Sequence, residues 1–268
     1  MVRLFYRKEG NGAPLVILHG LYGASDNWLT VARRLSQKYT VWAVDLRNHG
    51  RSPHDPGHTY KEMRDDLALF FEEHHLEPAV LLGHSMGGKV AMYFAADYPE
   101  KVRKLIVADI APKDYLEQED ESQYYLHRNI LLAIQETAIS QWTGRNQVEE
   151  RLAEKIGDRR IIQFLMKNTA RDAHTHRLIW RLNAPVLYDH LEEIVSGVNR
   201  SWLDDRIPIT SYPVVFIRSL LSPYITDNDL PAIREIYPEA RIIDIPGAGH
   251  WLHAEQPALF LEAVMGCC

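Results

Sequence analysis

Apolar and polar positions along the chain follow two different periods. From the N-terminus to about residue 111, short runs of β-branched and aliphatic residues alternate with longer amphipathic segments. This alternation predicts strands joined by crossover helices in a mostly parallel sheet. The predicted strands are RLFYR, LVILH, TVWAVD, AVLLGH and KLIVADI. Helices are predicted near residues 26–37, 60–74 and 86–97, and the second of these begins with the capping-box pair Thr59 and Glu62.

Between residues 112 and 211 the strand pattern disappears, and the apolar positions take helical spacing. Strand patterns return as PVVFIRS and ARIIDIP, followed by a closing helix around residues 255–265. We therefore expect an α/β fold, with a mostly parallel central sheet flanked by helices, built from residues 1–111 and 212–268. An all-helical insertion, residues 112–211, interrupts it. Open parallel sheets bind ligands at the carboxyl ends of their strands, so the insertion is predicted to form a lid or cap there.

Composition narrows the possible functions. Of the 268 residues, 46% are apolar and 25% charged, which is typical of soluble globular proteins. The formal net charge of -6 disfavours nucleic acid as a partner, because phosphate binding needs clustered lysine and arginine. A small-molecule or acyl substrate fits this composition better.

Neither a secretory signal nor a membrane span is expected, since the first residues lack an apolar segment and no run of about 18 apolar residues follows. A cytoplasmic protein is the resulting expectation, and nothing in the pattern indicates an oligomeric state. The only cysteines are Cys267 and Cys268, so no disulfide framework is expected. A terminal Cys-Cys pair is also a prenylation signal, but we favour a frayed, reduced tail.

The segment GHSMGGKV, residues 83–90, fits two motifs that each follow a strand and precede a helix. A phosphate-binding P-loop requires a hydroxyl residue directly after its lysine to hold Mg²⁺, but Val90 follows Lys89. We therefore interpret Lys89 as a solvated helix residue and disfavour nucleotide binding. The alternative is a nucleophile elbow, in which Gly83 and Gly87 leave room for a tight turn that holds Ser85 out of the sheet.

A serine nucleophile needs a histidine base and hydrogen-bond donors for the oxyanion. The candidate base is His250, in the glycine-rich segment IPGAGHWLH after the last predicted strand. The candidate donors are the backbone N–H of Met86, at the start of the helix, and that of Leu21, in the segment HGLYG. His19 is expected to shape this second loop through hydrogen bonds.

Five segments, HGLYG, DLRNHGRS, GHSMGG, ADIAP and GAGHW, occur in this order. Together they resemble the α/β-hydrolase-fold esterases, and most closely the small cytoplasmic acyl esterases and thioesterases of the YbfF subgroup, which carry an Asp-x-Arg-Asn-His-Gly loop. The resemblance covers about residues 2–112 and 212–265 and is weaker in the insertion. The sequence departs from the subgroup at Ser219 and Leu220, where two glycines are usual, so the resemblance does not predict the conformation of that turn.

The remaining catalytic group is a carboxylate that orients His250. Many α/β hydrolases carry it in a Gly-x-x-Asp loop after the strand that follows the lid. Here that loop has the sequence FIRSLLSPYITDND, and its first carboxylate is Asp227. In the subgroup resembled, the acid instead follows the strand after the nucleophile helix, which implies Asp109. We expect Asp109, with Asp227 and Asp229 as the alternatives.

Other polar and aromatic residues have structural interpretations beside functional ones. Four residues after the third predicted strand are expected to pin their loop by hydrogen bonds: Asp45, Arg47, His49 and Ser52. His174 and His176 form an isolated His-x-His pair, which is a weak metal-site pattern. Trp251, Tyr115 and Tyr224 flank the candidate site, either as lining of an acyl pocket or as packing residues.

The expected activity is hydrolysis of carboxylic esters or acyl thioesters of small to medium acyl groups by a Ser-His-Asp triad. This chemistry requires no metal and no organic cofactor. The same triad serves C–C bond hydrolysis, lyase chemistry and perhydrolysis in other proteins, and a hydrolase-like ligand receptor is the alternative outside enzymes.

Overall fold

The computed structural model describes residues 1–76, 78–116 and 122–267. Its strands are β1 (Tyr6–Glu9), β2 (Ala13–Leu18), β3 (Tyr39–Val44), β4 (Ala79–His84), β5 (Val102–Ala108), β6 (Thr169–Arg171), β7 (Leu178–Trp180), β8 (Val214–Ser219) and β9 (Arg241–Ile245). Seven of them form one sheet in the order β1-β3-β2-β4-β5-β8-β9. Only β1 runs antiparallel to its neighbour in this sheet. The predicted mostly parallel α/β sheet is thus confirmed.

The α-helices are α1 (Leu29–Leu35), α2 (Tyr60–Glu73), α3 (Met86–Asp97), α4 (Ser122–Glu136), α5 (Arg145–Ala153), α6 (Arg159–Met166), α7 (Ala184–Asp189), α8 (Leu191–Val195), α9 (Arg200–Leu203), α10 (Leu230–Ile236), α11 (Leu252–Glu255) and α12 (Pro257–Cys267). The predicted capping box at the start of α2 is present, because Thr59 accepts from the Glu62 N–H and the Glu62 side chain accepts from the Thr59 N–H.

The sequence pattern predicted an all-helical segment between β5 and β8. This prediction is wrong in one respect, because the segment contains the strands β6 and β7 besides the helices α4 to α9. Strands β6 and β7 pair antiparallel, with Thr169 opposite Trp180. The polar turn between them explains the difference. Asp172 Oδ1 accepts hydrogen bonds from the backbone N–H groups of His174 and Thr175, which closes a hairpin that periodicity over three-residue strands cannot reveal.

Both faces of the seven-stranded sheet are buried at its central strands, such as β4 and β8. Leu81 belongs to the apolar cluster that includes Val90 of α3, whereas the next residue, Leu82, belongs to the opposite cluster, which includes Phe260 of α12. A strand covered on both faces is apolar at consecutive positions, which is the pattern of β4. The sheet is therefore a rigid platform for the loops at its edge.

The carboxyl ends of the central strands lie in register. Leu18 of β2 is opposite Gly83 of β4, Gly83 is opposite Val107 of β5, and Val107 is opposite Phe216 of β8. The loops that leave these strands therefore begin side by side, where open α/β sheets bind ligands.

The C-terminal end differs from the expected frayed tail. Helix α12 continues to Cys267, whose side chain is buried in the same cluster as Phe260. Cys268 lies outside the described residues. No helix in the described part of the chain has both the length and the apolar character needed to cross a bilayer.

Candidate active site

Ser85 occupies a sharp turn between β4 and α3. Its φ is 53°, in the left-handed region, and its N–H donates to the Ala108 carbonyl at 3.0 Å. A Cβ on Gly83 would lie 2.3 Å from the Gly87 carbonyl oxygen, and one on Gly87 would lie 2.5 Å from that of His19. Only glycine fits at both positions, so this sequence builds the tight turn that lifts Ser85 out of the sheet.

His250 contacts both Ser85 and Asp109. Its Nε2 lies 2.9 Å from Ser85 Oγ, and its Nδ1 lies 2.8 Å from Asp109 Oδ2. A carboxylate only accepts hydrogen bonds, so Nδ1 carries the proton and Nε2 accepts from the Ser85 hydroxyl. This is the protonation pattern that a histidine base needs in order to take a proton from serine.

Asp109 directly follows β5 and is fully buried. Besides His250, its carboxylate accepts hydrogen bonds from the Ser219 N–H at 3.1 Å and from the Ser222 hydroxyl. Hydrogen bonds to the charged form offset the cost of burying a carboxylate. The Ser222 contact was not predicted from the sequence, because it joins loops that are distant along the chain.

The two alternative acids form ion pairs with residues other than His250. Asp227 is exposed and pairs with Arg218 at 2.5 Å. Asp229 pairs with Lys113 at 2.9 Å and accepts from Thr226. The structure therefore brings neither of them into hydrogen-bond contact with His250.

The turn after β8 forms without the two usual glycines. Neither Ser219 nor Leu220 has a positive φ, so an ordinary side chain is accommodated at both positions. The Leu220 N–H donates to the Ile245 carbonyl and the Leu221 N–H to the Ala248 carbonyl. The loop is thereby tied to the chain that leads into His250.

Two further residues hold His250 in place. His84 Nε2 lies 2.8 Å from the His250 carbonyl oxygen and donates to it. Burial, with the neighbouring His250 next in importance, lowers the pKa of His84 well below 6.5, so His84 stays neutral. The Tyr224 ring stacks on the His250 ring with centroids 4.0 Å apart. His84 precedes Ser85 directly in sequence, but no local pattern indicates its contact with His250.

The loop after β2 presents Leu21 beside Ser85. The Gly20 carbonyl accepts from the Gly23 N–H at 2.9 Å and from His19 Nδ1 at 2.8 Å. The C=O of Gly20 and the N–H of Leu21 belong to one planar peptide and point in opposite directions, so these bonds also fix the Leu21 N–H. Burial lowers the pKa of His19 to about 4, which keeps it a neutral hydrogen-bonding residue.

The Met86 N–H begins helix α3, where the first N–H groups have no acceptor within their own helix. Its hydrogen-bonding capacity is therefore unused by the helix, and Met86 lines a small cavity together with Ser85.

The polar residues after β3 form the predicted hydrogen-bond network. Asp45 accepts from the N–H groups of Ser25 and Arg51, and Arg47 pairs with the buried Asp66. His49 Nε2 accepts from the Tyr22 N–H at 3.3 Å, and burial lowers the pKa of His49 to about 3. The network thus supports the loop that carries Leu21.

A cavity of about 220 Å³ opens beside Ser85 and His250. Leu126, Ile161 and Phe164 from the β5–β8 segment line it together with Trp251 and Tyr224. Trp251 and Tyr224 are thus pocket residues. Tyr115 does not line this cavity, but it lines a smaller one next to Ser85, and its hydroxyl accepts from the Ala111 N–H and donates to the Tyr224 carbonyl.

The sequence suggested that Lys89 is a solvated helix residue, and this interpretation is wrong. Its side chain is buried, and Nζ donates to the carbonyl oxygens of Val195 and Ser196 at the end of α8. A helix period alone could not reveal this, because the surface that covers Lys89 comes from a distant segment. His174 and His176 lie in the exposed β6–β7 turn, and no group of three metal-ligating side chains is present among the described residues.

A sequence model of the α/β-hydrolase fold matches residues 13–257. The match covers most of the chain, and this protein belongs to the α/β-hydrolase family.

Among its relatives, the chain is similar to the esterase YbfF of Escherichia coli, with 35% identity over 96% of this chain and 94% of the relative. It is also 35% identical to the sn-1-specific diacylglycerol lipase ABHD11 of Danio rerio, over 96% of this chain and 78% of that protein. A solved marine microorganism esterase superposes with a TM-score of 0.93 and 40% identity over all of both chains. The protein is thus an enzyme, a hydrolase of the esterase and lipase type.

Proposed function

We propose that this enzyme hydrolyses carboxylic esters, and acyl thioesters, through a Ser85–His250–Asp109 triad and an acyl-enzyme intermediate. The observation that carries the proposal is the position of His250, with Nε2 at 2.9 Å from Ser85 Oγ and Nδ1 at 2.8 Å from Asp109 Oδ2. Such a chain of hydrogen bonds is the arrangement that activates a serine hydroxyl at neutral pH.

In the first half-reaction, Ser85 Oγ attacks the carbonyl carbon while its proton passes to His250 Nε2. The Leu21 and Met86 N–H groups stabilise the negative oxygen of the tetrahedral intermediate. His250 then protonates the leaving alcohol or thiol, and the C–O or C–S bond breaks. In the second half, His250 takes a proton from water, the resulting hydroxide attacks the acyl carbon, and Ser85 recovers its proton as the acid leaves.

The role of residues 112–211 in this proposal is that of a cap over the site. Supporting it, Leu126, Ile161 and Phe164 line the 220 Å³ cavity. A cavity of this size with mostly apolar walls suits an apolar arm of small to medium length. The cap would exclude water from around the reacting carbonyl and strengthen the oxyanion contacts.

Thioester hydrolysis has its own supporting observation. A groove of about 520 Å³ shares Phe164 and Trp251 with the active-site cavity, and it is lined by Arg159, Arg160 and Lys167. Its positive charge suits a phosphate-bearing leaving group such as coenzyme A. We expect the double substitution Arg159→Gln with Lys167→Gln to lower the ratio of kcat/KM for butyryl-CoA to that for p-nitrophenyl butyrate.

The test of the proposed function is Ser85→Ala, with Ser140→Ala, an exposed serine of the cap segment, as the matched control. We expect Ser85→Ala to lower kcat on p-nitrophenyl butyrate by at least about 10⁴-fold. A fluorophosphonate should label the parent enzyme and Ser140→Ala but not Ser85→Ala. Retained turnover by Ser85→Ala would exclude the triad. Labelling without ester turnover would instead favour C–C bond hydrolysis, lyase chemistry or perhydrolysis.

A further inference from the structure

Lys89 lies one helical turn after Ser85, and its amino group is buried. The residue is 1% exposed. Its Nζ donates to the Val195 carbonyl at 3.3 Å and to that of Ser196, and it lies 4.9 Å from the centroid of the Tyr115 ring. These contacts satisfy two of the three N–H donors of the ammonium group and supply no full negative charge.

Other buried cations have carboxylate partners. Arg47 pairs with Asp66 at 2.6 Å, and Arg218 pairs with Asp244 at 2.8 Å. Among the described residues no carboxylate lies within salt-bridge distance of Lys89, and Asp114 and Glu193 act on it only from farther away. Burial lowers the pKa of Lys89 to about 7, against the opposing effect of these two acids. A carboxylate bound to it would favour the charged form.

A small cavity connects Lys89 with the reacting groups. It measures about 30 Å³ and is lined by Lys89, Ser85, Met86 and Leu21, among others. A volume of this size holds about two water molecules or one carboxylate group. The larger 220 Å³ cavity also reaches Ser85 and Leu21, so the two cavities meet where the scissile carbonyl would lie.

We propose that Lys89 binds a carboxylate on the shorter arm of the substrate, whose longer, apolar arm occupies the larger cavity. This inference rests on the proposed ester hydrolysis at Ser85. The substrate class is an ester with a carboxylate a few bonds from the scissile carbonyl. The carboxylate belongs either to a short dicarboxylic acyl group or to a short hydroxy acid that serves as the alcohol.

The experiment compares each anionic ester with a neutral ester of the same shape. Monohexyl succinate is paired with hexyl isohexanoate, which tests the acyl arm. The hexanoyl ester of hydroxypropanoate is paired with isoamyl hexanoate, which tests the alcohol arm. For the parent enzyme, we expect kcat/KM for the anionic member of at least one pair to exceed that of its neutral partner by about tenfold or more. A preference for the neutral ester in both pairs overturns the inference.

Lys89→Met removes the charge at nearly constant volume, and the matched control is Lys113→Met. Lys113 also lies 4.9 Å from the Tyr115 ring centroid but does not line the small cavity. We expect Lys89→Met to lower the anionic-to-neutral ratio by about tenfold or more, and Lys113→Met to change it less than twofold. Equal loss on both esters in Lys89→Met would show a structural role and overturn the inference.

The two proposals fail in different ways. Hydrolysis of the neutral esters without preference for the anionic ones overturns the role of Lys89 and leaves the triad standing. No hydrolysis of any of the four esters overturns the triad. If Lys89→Met does not fold, as judged by circular dichroism, the ratios of the parent enzyme still decide the matter.

Discussion

The ring of Tyr224 lies against the imidazole of His250, with centroids 4.0 Å apart and planes inclined by 25°. The Tyr224 hydroxyl donates to Gln123 Oε1 at 2.8 Å and lies 3.1 Å from His127 Nε2. Burial raises the pKa of the Tyr224 phenol, so it remains a hydrogen-bond donor at neutral pH. The stacked ring therefore restricts His250 to orientations in which it contacts both Ser85 and Asp109.

We expect Tyr224→Ala to lower kcat about tenfold, because loss of a stacked ring costs about 1 kcal/mol and frees the His250 side chain. Tyr224→Phe keeps the ring and removes only the hydroxyl contacts, so its kcat should stay within about threefold of the parent value. Steady-state kinetics at saturating p-nitrophenyl butyrate measures both. Equal losses in the two variants would assign the effect to the hydroxyl and not to stacking.

The identity of the triad acid leads to a second prediction. Asp109→Asn should lower kcat by about 10³- to 10⁴-fold, because the amide would keep its oxygen toward the Ser219 N–H and turn its NH2 group toward His250 Nδ1, which favours the wrong tautomer. Asp227→Asn removes the exposed partner of Arg218, which keeps its pair with Asp244, and should change kcat less than twofold. The comparison requires only the same ester assay. A large loss in Asp227→Asn with a small one in Asp109→Asn would reverse the assignment.

Several histidines are buried and neutral in the folded protein, so we expect the protein to lose stability in acid. Burial lowers the pKa of His19 to about 4 and the pKa values of His49 and His253 to about 3. At pH values between these pKa values and the pKa of about 6.5 that histidine has in the unfolded chain, the unfolded chain binds more protons than the folded one. Stability should be complete above pH 6.5 and should fall as the pH drops below it, by up to about 1.4 kcal/mol per pH unit for each histidine.

His253→Phe tests this linkage at one site. The His253 ring stacks on Trp28 with centroids 4.2 Å apart, and its Nδ1 has no hydrogen-bond partner in the described structure, so phenylalanine should fit. Urea unfolding between pH 4.5 and 7.5 should show a shallower loss of stability for His253→Phe than for the parent. The exposed control His174→Phe should keep the parental slope. An unchanged slope in His253→Phe would contradict the prediction.

Replacing a glycine of the turn around Ser85 by alanine should destabilise the fold through a steric clash. A Cβ at position 83 would lie 2.3 Å from a backbone oxygen, whereas one at Gly157 would meet nothing within 4 Å. We expect Gly83→Ala to lower the free energy of unfolding by about 1–3 kcal/mol or to prevent folding, and Gly157→Ala to leave it unchanged or slightly raised. Thermal unfolding of the two variants provides the measurement. Equal melting temperatures would mean that the turn can widen.

Features with a local cause were predictable from the sequence. Gly83, Ser85 and Gly87 are constrained by a single turn, and the strands of the sheet by continuous apolar runs, so both leave a pattern in adjacent residues. Asp109 could be expected only by resemblance, since its contact with His250 depends on how β5, β8 and the loop after β9 are arranged. Ser222, His84 and the burial of Lys89 depend on contacts between distant segments, and no period in the sequence encodes these.

In the proposed triad, nucleophile and acid both belong to the strand–helix–strand unit formed by β4, α3 and β5, since Ser85 and Asp109 directly follow its two strands. The segment between β5 and β8 enters the chain after Asp109, and of the three proposed groups only His250 comes from beyond it. Two of the three groups can therefore reach their relative positions within one short, contiguous stretch of chain. The segment inserted behind them can change in length and sequence without lengthening the connection between nucleophile and acid, so evolution can alter the substrate cavity separately from this pair.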